Sequence, residues 1–118
     1  MPTNTAETQV FTVNNVPVVD IARPTPSGVS KNQFNDFDVD SAGVVINNSL
    51  VNGTSRLAGG LGANANFNDK SARIILNEVV TTNTSDINGM TELFGDNASY
   101  ILSNPNGISC NGCGFIRT

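Results

Sequence analysis

The chain has 118 residues, enough for one domain with a modest core, and its six basic and ten acidic residues give a formal net charge of −4. This charge argues against a nucleic-acid-binding surface, and a composition that is 38% hydrophobic and 14% charged is unlike that of disordered chains. No apolar run is long enough to cross a membrane, and residues 1–10 lack the basic and apolar regions of a signal peptide. The protein is therefore expected either in the cytosol or behind a signal that has been removed.

Short β-branched and apolar runs, separated by turn residues, recur along the chain. Residues 1–8 are polar and are predicted to be a flexible N-terminus, followed by a domain over residues 9–118. The run 72–80 contains no Gly or Pro and predicts the most regular strand, because its β-branched residues disfavour the helical alternative. The predicted strands are, in chain order, 9–13, 16–21, 34–40, 44–46, 72–80, 90–94 and 98–102.

Turns and loops are predicted between these strands. The two prolines in 23–28 require a loop, because Pro removes a donor from any central ladder. Residues 55–67 predict irregular coil with short strand pieces, and residues 81–88 predict a polar loop. Tight turns are predicted at 14–15, 41–43, 47–48, 52–53, 88–89 and 95–97.

The densest turn signals lie near the C-terminus, over residues 103–116. Two turn sequences, at 104–107 and 111–112, alternate there with apolar pieces only a few residues long. Hairpins would need longer strands, whereas each coil of a parallel β-helix uses short strands that pair with the coils above and below. The predicted fold is therefore all-β, preferably a right-handed parallel β-helix. The abundant Asn fits either side-chain ladders between coils or simple turn filling.

These segments resemble the N-terminal secretion domain of two-partner secretion exoproteins, the family of filamentous haemagglutinin, the Proteus and Serratia haemolysins and the contact-dependent inhibition toxins. Residues 104–108 match the family's NPNGI motif in full, and residues 110–116 are similar to the CxGCGFI of the haemolysin branch. Segments 34–39, 44–50 and 75–79 also resemble family positions, in the family order. The resemblance covers the chain from about Val10 to its last residue.

The chain departs from the family pattern in three respects. The upstream NPNL motif occurs here as Asn64-Ala65-Asn66-Phe67, and Arg117 stands where relatives usually have Asn. Family secretion domains are also longer, so this chain is expected to be the first portion of one. The resemblance implies a capping β element at the N-terminal end of the β-helix. It also implies export through the periplasm to the outside or the cell surface, and recognition by the POTRA domains of an outer-membrane TpsB transporter.

The resemblance implies that two motifs form the secretion determinant that the transporter recognises. They comprise Asn64, Asn66, Asn104, Pro105, Asn106, Gly107 and Ile108. The alternative is purely structural: a motif built from turn formers needs no partner to explain it, and it could simply shape one corner of a coil.

Cys110 and Cys113 form a C-x-x-C pair with three interpretations. A redox-active pair would place its first Cys at a helix N-terminus, and no helix is predicted here. A zinc site would need two further ligands, but the chain has no His and no other Cys. A structural disulfide or a pair of half-buried thiols is therefore favoured, and an exported protein would permit the disulfide.

No catalytic or metal site is predicted. Asp36, Asp38 and Asp40 resemble a calcium loop, but Ser41 and Asn47 occupy the positions that need Gly and Glu, so a solvated strand face is favoured. Without His, a Ser or Cys triad lacks its usual base. We therefore expect neither an enzyme nor a cofactor.

Two functions remain open at this point. The first is a secretion-targeting domain that seeds the folding of a longer β-helix. The second is an adhesive or self-assembling module, in which an exposed β-helix end pairs with other chains, including those of its own full-length exoprotein.

Overall fold

The computed structural model describes residues 2–5 and 7–118, which form thirteen β-strands and no helix. The described residues accordingly offer no helix that could cross a membrane. In chain order the strands are β1 (Thr3–Thr5), β2 (Gln9–Val13), β3 (Val16–Asp20), β4 (Val29–Asp36), β5 (Val44–Asn48), β6 (Gly53–Ser55), β7 (Gly59–Leu61), β8 (Ile74–Val79), β9 (Ser85–Ile87), β10 (Met90–Gly95), β11 (Ser99–Ser103), β12 (Ile108–Cys110) and β13 (Gly114–Arg117).

Three faces of strands enclose the interior. Face 1 has the order β13-β10-β5-β3-β2, face 2 has the order β1-β4-β8-β11, and face 3 consists of β9, β12 and a bridge between Val39 and Ile87. The chain visits the three faces in turn, and successive coils pair in parallel on each of them. This is the predicted all-β, parallel β-helix architecture. Its right-handed winding stays a prediction.

Antiparallel strands cover the first coil. β2 pairs antiparallel with β3 through a turn in which Asn14 and Asn15 have φ of 50° and 67°, the left-handed conformation that a two-residue hairpin turn needs. β1 pairs antiparallel with β4. The capping β element is thus confirmed. In the described part of residues 1–8, β1 is a paired strand and the buried Thr8 hydroxyl donates to Asn32 Oδ1 at 2.6 Å. The flexibility of this N-terminal segment stays a prediction.

Aligned side chains from successive coils stack into the core. Val19, Ile46 and Leu93 share one register on face 1, and each is at most 1% exposed. Phe34 and Phe37 meet edge to face, with their ring centroids 4.9 Å apart. Regular stacking lets each coil bury the apolar side of the one before it.

An insertion, residues 49–73, leaves the coil between β5 and β8 and adds a second core. Its β6–β7 hairpin packs on the outer side of face 1. The second hydrophobic cluster contains Val16, Val18, Val45, Ala58, Leu61 and Phe94. Because β3 and β5 are buried on both sides, their sequences are continuously apolar over several residues.

Three predicted elements differ from the structure. The strand predicted over 34–40 is β4, Val29–Asp36, after which the chain turns so that both Phe34 and Phe37 enter the core. The turn predicted at 47–48 lies within β5, because both Asn side chains are buried and hydrogen-bonded. The loop predicted over 81–88 contains β9, a strand that is paired with β12. The polar sequence of β9 does not predict a strand.

Candidate functional site

The predicted NPNGI motif forms a hydrogen-bonded turn between β11 and β12. The Gly107 N–H donates to the Asn104 carbonyl at 3.2 Å, and the Asn106 N–H donates to Asn104 Oδ1 at 3.0 Å. Gly107 has φ of +123°, a conformation that side chains rarely adopt. Turn formation therefore explains why Asn and Gly occupy these positions.

The same turn is tied to the preceding coil by its amide side chains. Asn104 Nδ2 donates to the Asn83 carbonyl at 3.0 Å and to Ser85 Oγ at 2.9 Å. Asn106 Nδ2 donates to the Thr81 carbonyl at 2.6 Å. The rest of the motif faces solvent: Pro105, Gly107 and Ile108 are exposed.

The Asn64-Ala65-Asn66-Phe67 sequence forms a turn with the same internal bonds. The Phe67 N–H donates to the Asn64 carbonyl at 3.1 Å, and the Asn66 N–H donates to Asn64 Oδ1 at 2.8 Å. Asn64 Nδ2 donates to the carbonyls of Ile21 and Asn47 at 3.0 and 2.9 Å. Unlike Asn104, Asn64 is buried, with 3% of its surface exposed.

The two turns lie at different corners of the β-helix. The turn at 64–67 lies beside face 1, where Asn64 bonds to Ile21 just after β3 and to Asn47 in β5. The turn at 104–107 lies at the corner between faces 2 and 3. Among the described residues they share no hydrogen-bond partner, so the structure does not bring the two predicted recognition motifs together.

Asparagine bonds also link successive coils at the corner between faces 2 and 3. Asn83 Nδ2 donates to the Asn35 carbonyl at 3.1 Å, and the Asn83 carbonyl accepts from Asn104 Nδ2 at 3.0 Å. The amides thus bond to main-chain carbonyls of the coil before. Asn therefore both forms turns and links coils, so the two interpretations of its abundance are complementary.

Cys110 and Cys113 are joined by a disulfide at the corner between β12 and β13. Gly112, at φ +82°, lets the chain turn within this short loop, and Cys113 packs against the main core. No helix follows the pair in this part of the chain. The favoured structural disulfide is the state that the structure contains.

Two of the three aspartates that resemble a calcium loop accept hydrogen bonds from the main chain. Asp38 Oδ1 accepts from the Asp86 N–H at 2.9 Å, and Asp40 Oδ1 accepts from the Ala42 N–H at 2.9 Å. Asp36 closes β4. Over residues 2–5 and 7–118, no three His, Cys, Asp or Glu residues are grouped as a metal site would require.

One buried carboxylate escaped sequence reasoning. Glu92 lies in β10 with none of its surface exposed, and it accepts from the N–H groups of Arg56 and Leu57, both at 2.9 Å. The hydroxyls of Ser55 and Thr118 donate to it at 2.7 and 2.9 Å. These bonds fasten the turn of the β6–β7 hairpin to face 1. The signal in the sequence was a single acidic residue in a strand that is mostly apolar.

Burial and hydrogen bonding act on Glu92 in opposite directions. Desolvation raises the pKa of Glu92, but the donated hydrogen bonds outweigh it and hold the pKa below its ordinary value of 4.5. Asp20, under the 64–67 turn, behaves differently. Burial raises its pKa above the ordinary 3.8, although Asn47 Nδ2 donates to its carboxylate at 3.0 Å. The ionised Glu92 carboxylate thus ties the insertion to face 1.

The family follows from comparison with known proteins. The sequence model of one protein family, described as the TPS secretion domain, matches residues 1–118. The chain belongs to this family. The solved structure described as the filamentous hemagglutinin secretion domain superposes on it with a TM-score of 0.92 and 44% identity, over 98% of this chain and 39% of that chain. The predicted resemblance is confirmed.

Curated relatives of this TPS secretion domain are much longer proteins. The hemolysin of Proteus mirabilis is 54% identical over 101 residues, which cover 86% of this chain and 6% of the relative. The tRNA nuclease CdiA of Yersinia mollaretii is 50% identical over 106 residues, which cover 89% of this chain and 4% of the relative. The chain therefore spans a small share of the relatives that it matches.

Proposed function

We propose that this TPS secretion domain directs the export of a longer exoprotein through the periplasm to the outside or the cell surface. Its partner is the set of POTRA domains of an outer-membrane TpsB transporter. The observation that carries the proposal is the match of the whole chain to the family, together with the close superposition on a solved secretion domain. The capped first coil suits a second role, in which the domain seeds the folding of the coils that follow it.

Recognition is assigned to the exposed turn at 104–108 and to the turn at 64–67. The first is the better contact surface, because Pro105, Asn106 and Gly107 are exposed to solvent. The second presents only Ala65 fully to solvent, since Asn64 is buried. In this proposal the 64–67 turn supports the recognition surface more than it contacts the partner.

The direct test is calorimetric titration of the cognate transporter's periplasmic fragment into this chain. We expect saturable binding by the wild type and weaker binding by Asn106→Ala. Asn111→Ala is the matched control, because Asn111 is also an exposed Asn at a corner of the last coil. Absence of binding by the wild type contradicts the targeting function. Equal binding by all three proteins reduces the NPNGI motif to a structural turn.

We expect no catalysis from this domain. The nuclease named for the Yersinia relative is a property of that protein, of which this chain matches 4%. A nuclease assay on the purified chain tests the expectation, and cleavage of tRNA above that of a buffer control would contradict it.

A second candidate function is self-assembly through the last coil. Within residues 2–5 and 7–118, β11, β12 and β13 have no further strand paired on their outer edge, and Ile101, Ile108 and Phe115 are 48%, 47% and 40% exposed. An edge of this kind can recruit another strand. Sedimentation velocity over a range of concentrations tests this, with Ile108→Lys as the disrupting variant. Oligomers that survive the substitution, or their absence in the wild type, argue against self-assembly.

A further inference from the structure

A groove runs along the corner where the chain passes from face 1 to face 2. One wall is the loop 23–28, and the other is the segment 64–73 of the insertion. The groove has three sections: one beside Asn66, a middle one beside Asn68, and one beside Arg73. They are continuous, because Arg23 lines the section beside Asn66 and the middle section, and residues 24–26 line the middle section and the one beside Arg73. The two sections beside the prolines enclose about 440 and 410 Å³.

Half of the chain's cations line this groove. Arg23, Lys70 and Arg73 are three of the six basic residues, and all three are exposed. Among residues 2–5 and 7–118 the one ion pair is Lys31 with Glu78, so none of these three cations is paired with a carboxylate. Two carboxylates, those of Glu7 and Asp69, also line the groove. Three cations and two carboxylates give the lining a net charge of +1, whereas the whole chain carries −4, so the groove is a local exception in an acidic molecule.

The walls of the groove are preformed by hydrogen bonds. In the first wall the Gly28 N–H donates to the Thr25 carbonyl at 2.8 Å, and the Thr25 N–H donates to the Val29 carbonyl at 2.9 Å. The Arg73 N–H donates to the Gly28 carbonyl at 2.8 Å. A Cβ on Gly28 would lie 2.9 Å from Arg73 Cδ, so the absence of a side chain there makes room for the Arg73 stem. Preformed walls lower the entropic cost of binding.

The chemistry of the lining selects the occupant. Pro24, Pro26 and Leu50 provide apolar surface between the cations. In an extended strand, successive side chains point to opposite sides, and those on the same side are about 6.6 Å apart. A peptide that alternates acidic and apolar residues can therefore present carboxylates to the cations and apolar groups to the prolines. A flat anionic bilayer would also meet the acidic remainder of the surface, which disfavours a membrane.

We propose that this groove binds an extended acidic peptide segment of a protein partner. Resting on the proposed function, the segment belongs to the periplasmic region of the transporter. The groove is flanked by the 64–67 turn, since Arg23 Nε donates to the Asn66 carbonyl at 3.1 Å. One of the two predicted recognition motifs would then act by shaping the wall of a binding groove.

The test compares two triple variants with equal charge. The groove variant is R23Q/K70Q/R73Q, and the matched control K31Q/R56Q/R117Q neutralises the other three cations of the chain. Gln keeps most of each stem, and circular dichroism melts verify that both variants fold. With the cognate transporter's periplasmic fragment at low salt, we expect the groove variant to bind about tenfold more weakly and the control to stay within about threefold of the wild type. Equal losses in both variants overturn the groove assignment and leave the targeting function intact.

A second probe separates this inference from the proposed function. A peptide of alternating Glu and Val is titrated into the isotope-labelled chain, and amide shifts are followed by NMR. We expect shifts at residues 23–28 and 68–73 that vanish in the groove variant, whether or not the transporter fragment binds. Failure of the peptide to shift these residues overturns the groove. Displacement of the peptide by phosphatidylglycerol vesicles assigns the groove to a membrane surface and overturns the peptide occupant.

Discussion

The outer sides of faces 1 and 2 differ in what covers them. On face 1 the β6–β7 hairpin leaves Val45 and Phe94 at most 4% exposed. On face 2 no element covers the described strands, and Ile74 and Ile101 are 39% and 48% exposed. Parallel sheets are usually buried on both sides. The insertion, and not the coil itself, is therefore what makes face 1 a sheet with a core on either side.

The difference also explains two patterns of burial along the strands. In β5 every residue is buried, whereas in β8 exposed or half-exposed residues alternate with buried ones. A strand with one covered side needs apolar residues only at every second position. The burial of alternate residues in β8 is known only from the structure, because its sequence, Ile-Ile-Leu-Asn-Glu-Val, does not alternate between apolar and polar residues.

The largest expected effect comes from removing the aromatic ring under the hairpin. Phe94→Ala should lower the free energy of unfolding by about 3–5 kcal/mol, because it leaves a cavity in the second core. Ile101→Ala, on the open side of face 2, should cost less than about 1 kcal/mol. Urea unfolding of both variants measures the contrast. Similar losses would mean that the hairpin does not protect face 1 in solution.

The second prediction concerns the Glu92 carboxylate, which joins the β6–β7 hairpin to face 1. Glu92→Gln should cost about 2–3 kcal/mol at pH 7, because the carboxylate accepts hydrogen bonds from two main-chain N–H groups and two hydroxyls.

The pH dependence of this loss has a defined sign. The folded pKa of Glu92 lies below the ordinary 4.5, so its stabilising contribution is complete above pH 4.5 and is lost as the pH falls through the folded value. The stability difference between wild type and Glu92→Gln should therefore shrink on acidification below pH 4.5. A difference that is constant from pH 7 to pH 3 would show that the charge of Glu92 is not responsible.

A third effect sharpens the comparison at the base of the insertion. Asn64→Ala should cost about 2 kcal/mol, since it removes the two buried hydrogen bonds that Asn64 Nδ2 donates to the carbonyls of Ile21 and Asn47. Asn104→Ala removes the equivalent bonds from a more exposed turn and should cost about 1 kcal/mol. Thermal melts of the two variants decide the order, and the reverse order would refute the role assigned to burial.

The smallest expected effect lies on the open side of face 2. Lys31 Nζ and Glu78 Oε1 are 3.4 Å apart, but the Lys31 side chain is 58% exposed. Glu78→Gln should therefore change stability by less than about 0.5 kcal/mol. Chemical denaturation at low and at 1 M salt checks this value. A loss of stability as large as that of Glu92→Gln would contradict the small contribution expected of this exposed ion pair.

Local sequence was sufficient for much of the fold and of the candidate site. The turns at 14–15, 41–43 and 104–107, and the strand within 72–80, follow from backbone preferences of the residues themselves, and all of them are present in the structure. The family motifs were also legible, because they are contiguous. The binding roles of the residues in those motifs stay predictions.

Other features depend on residues far apart in the chain. β9 has a polar sequence and exists because β12 pairs with it, and the corner after Asp36 is placed by the need to bury both Phe34 and Phe37. The cationic groove likewise joins the loop 23–28 to a segment more than forty positions later. Short-range preferences carry no information about such pairings.

Sequence by itself determined that this chain is all-β, that it turns at closely spaced Asn and Gly corners, and that it resembles the secretion-domain family. These properties depend on φ preferences and on the alternation of apolar residues, which act within a few positions. Only the tertiary structure decided that the insertion folds back over face 1 and that Glu92 meets donors from Ser55, Arg56, Leu57 and Thr118. Those contacts exist because coil stacking brings distant residues into register, and the buried carboxylate then needs every donor that the stacking supplies.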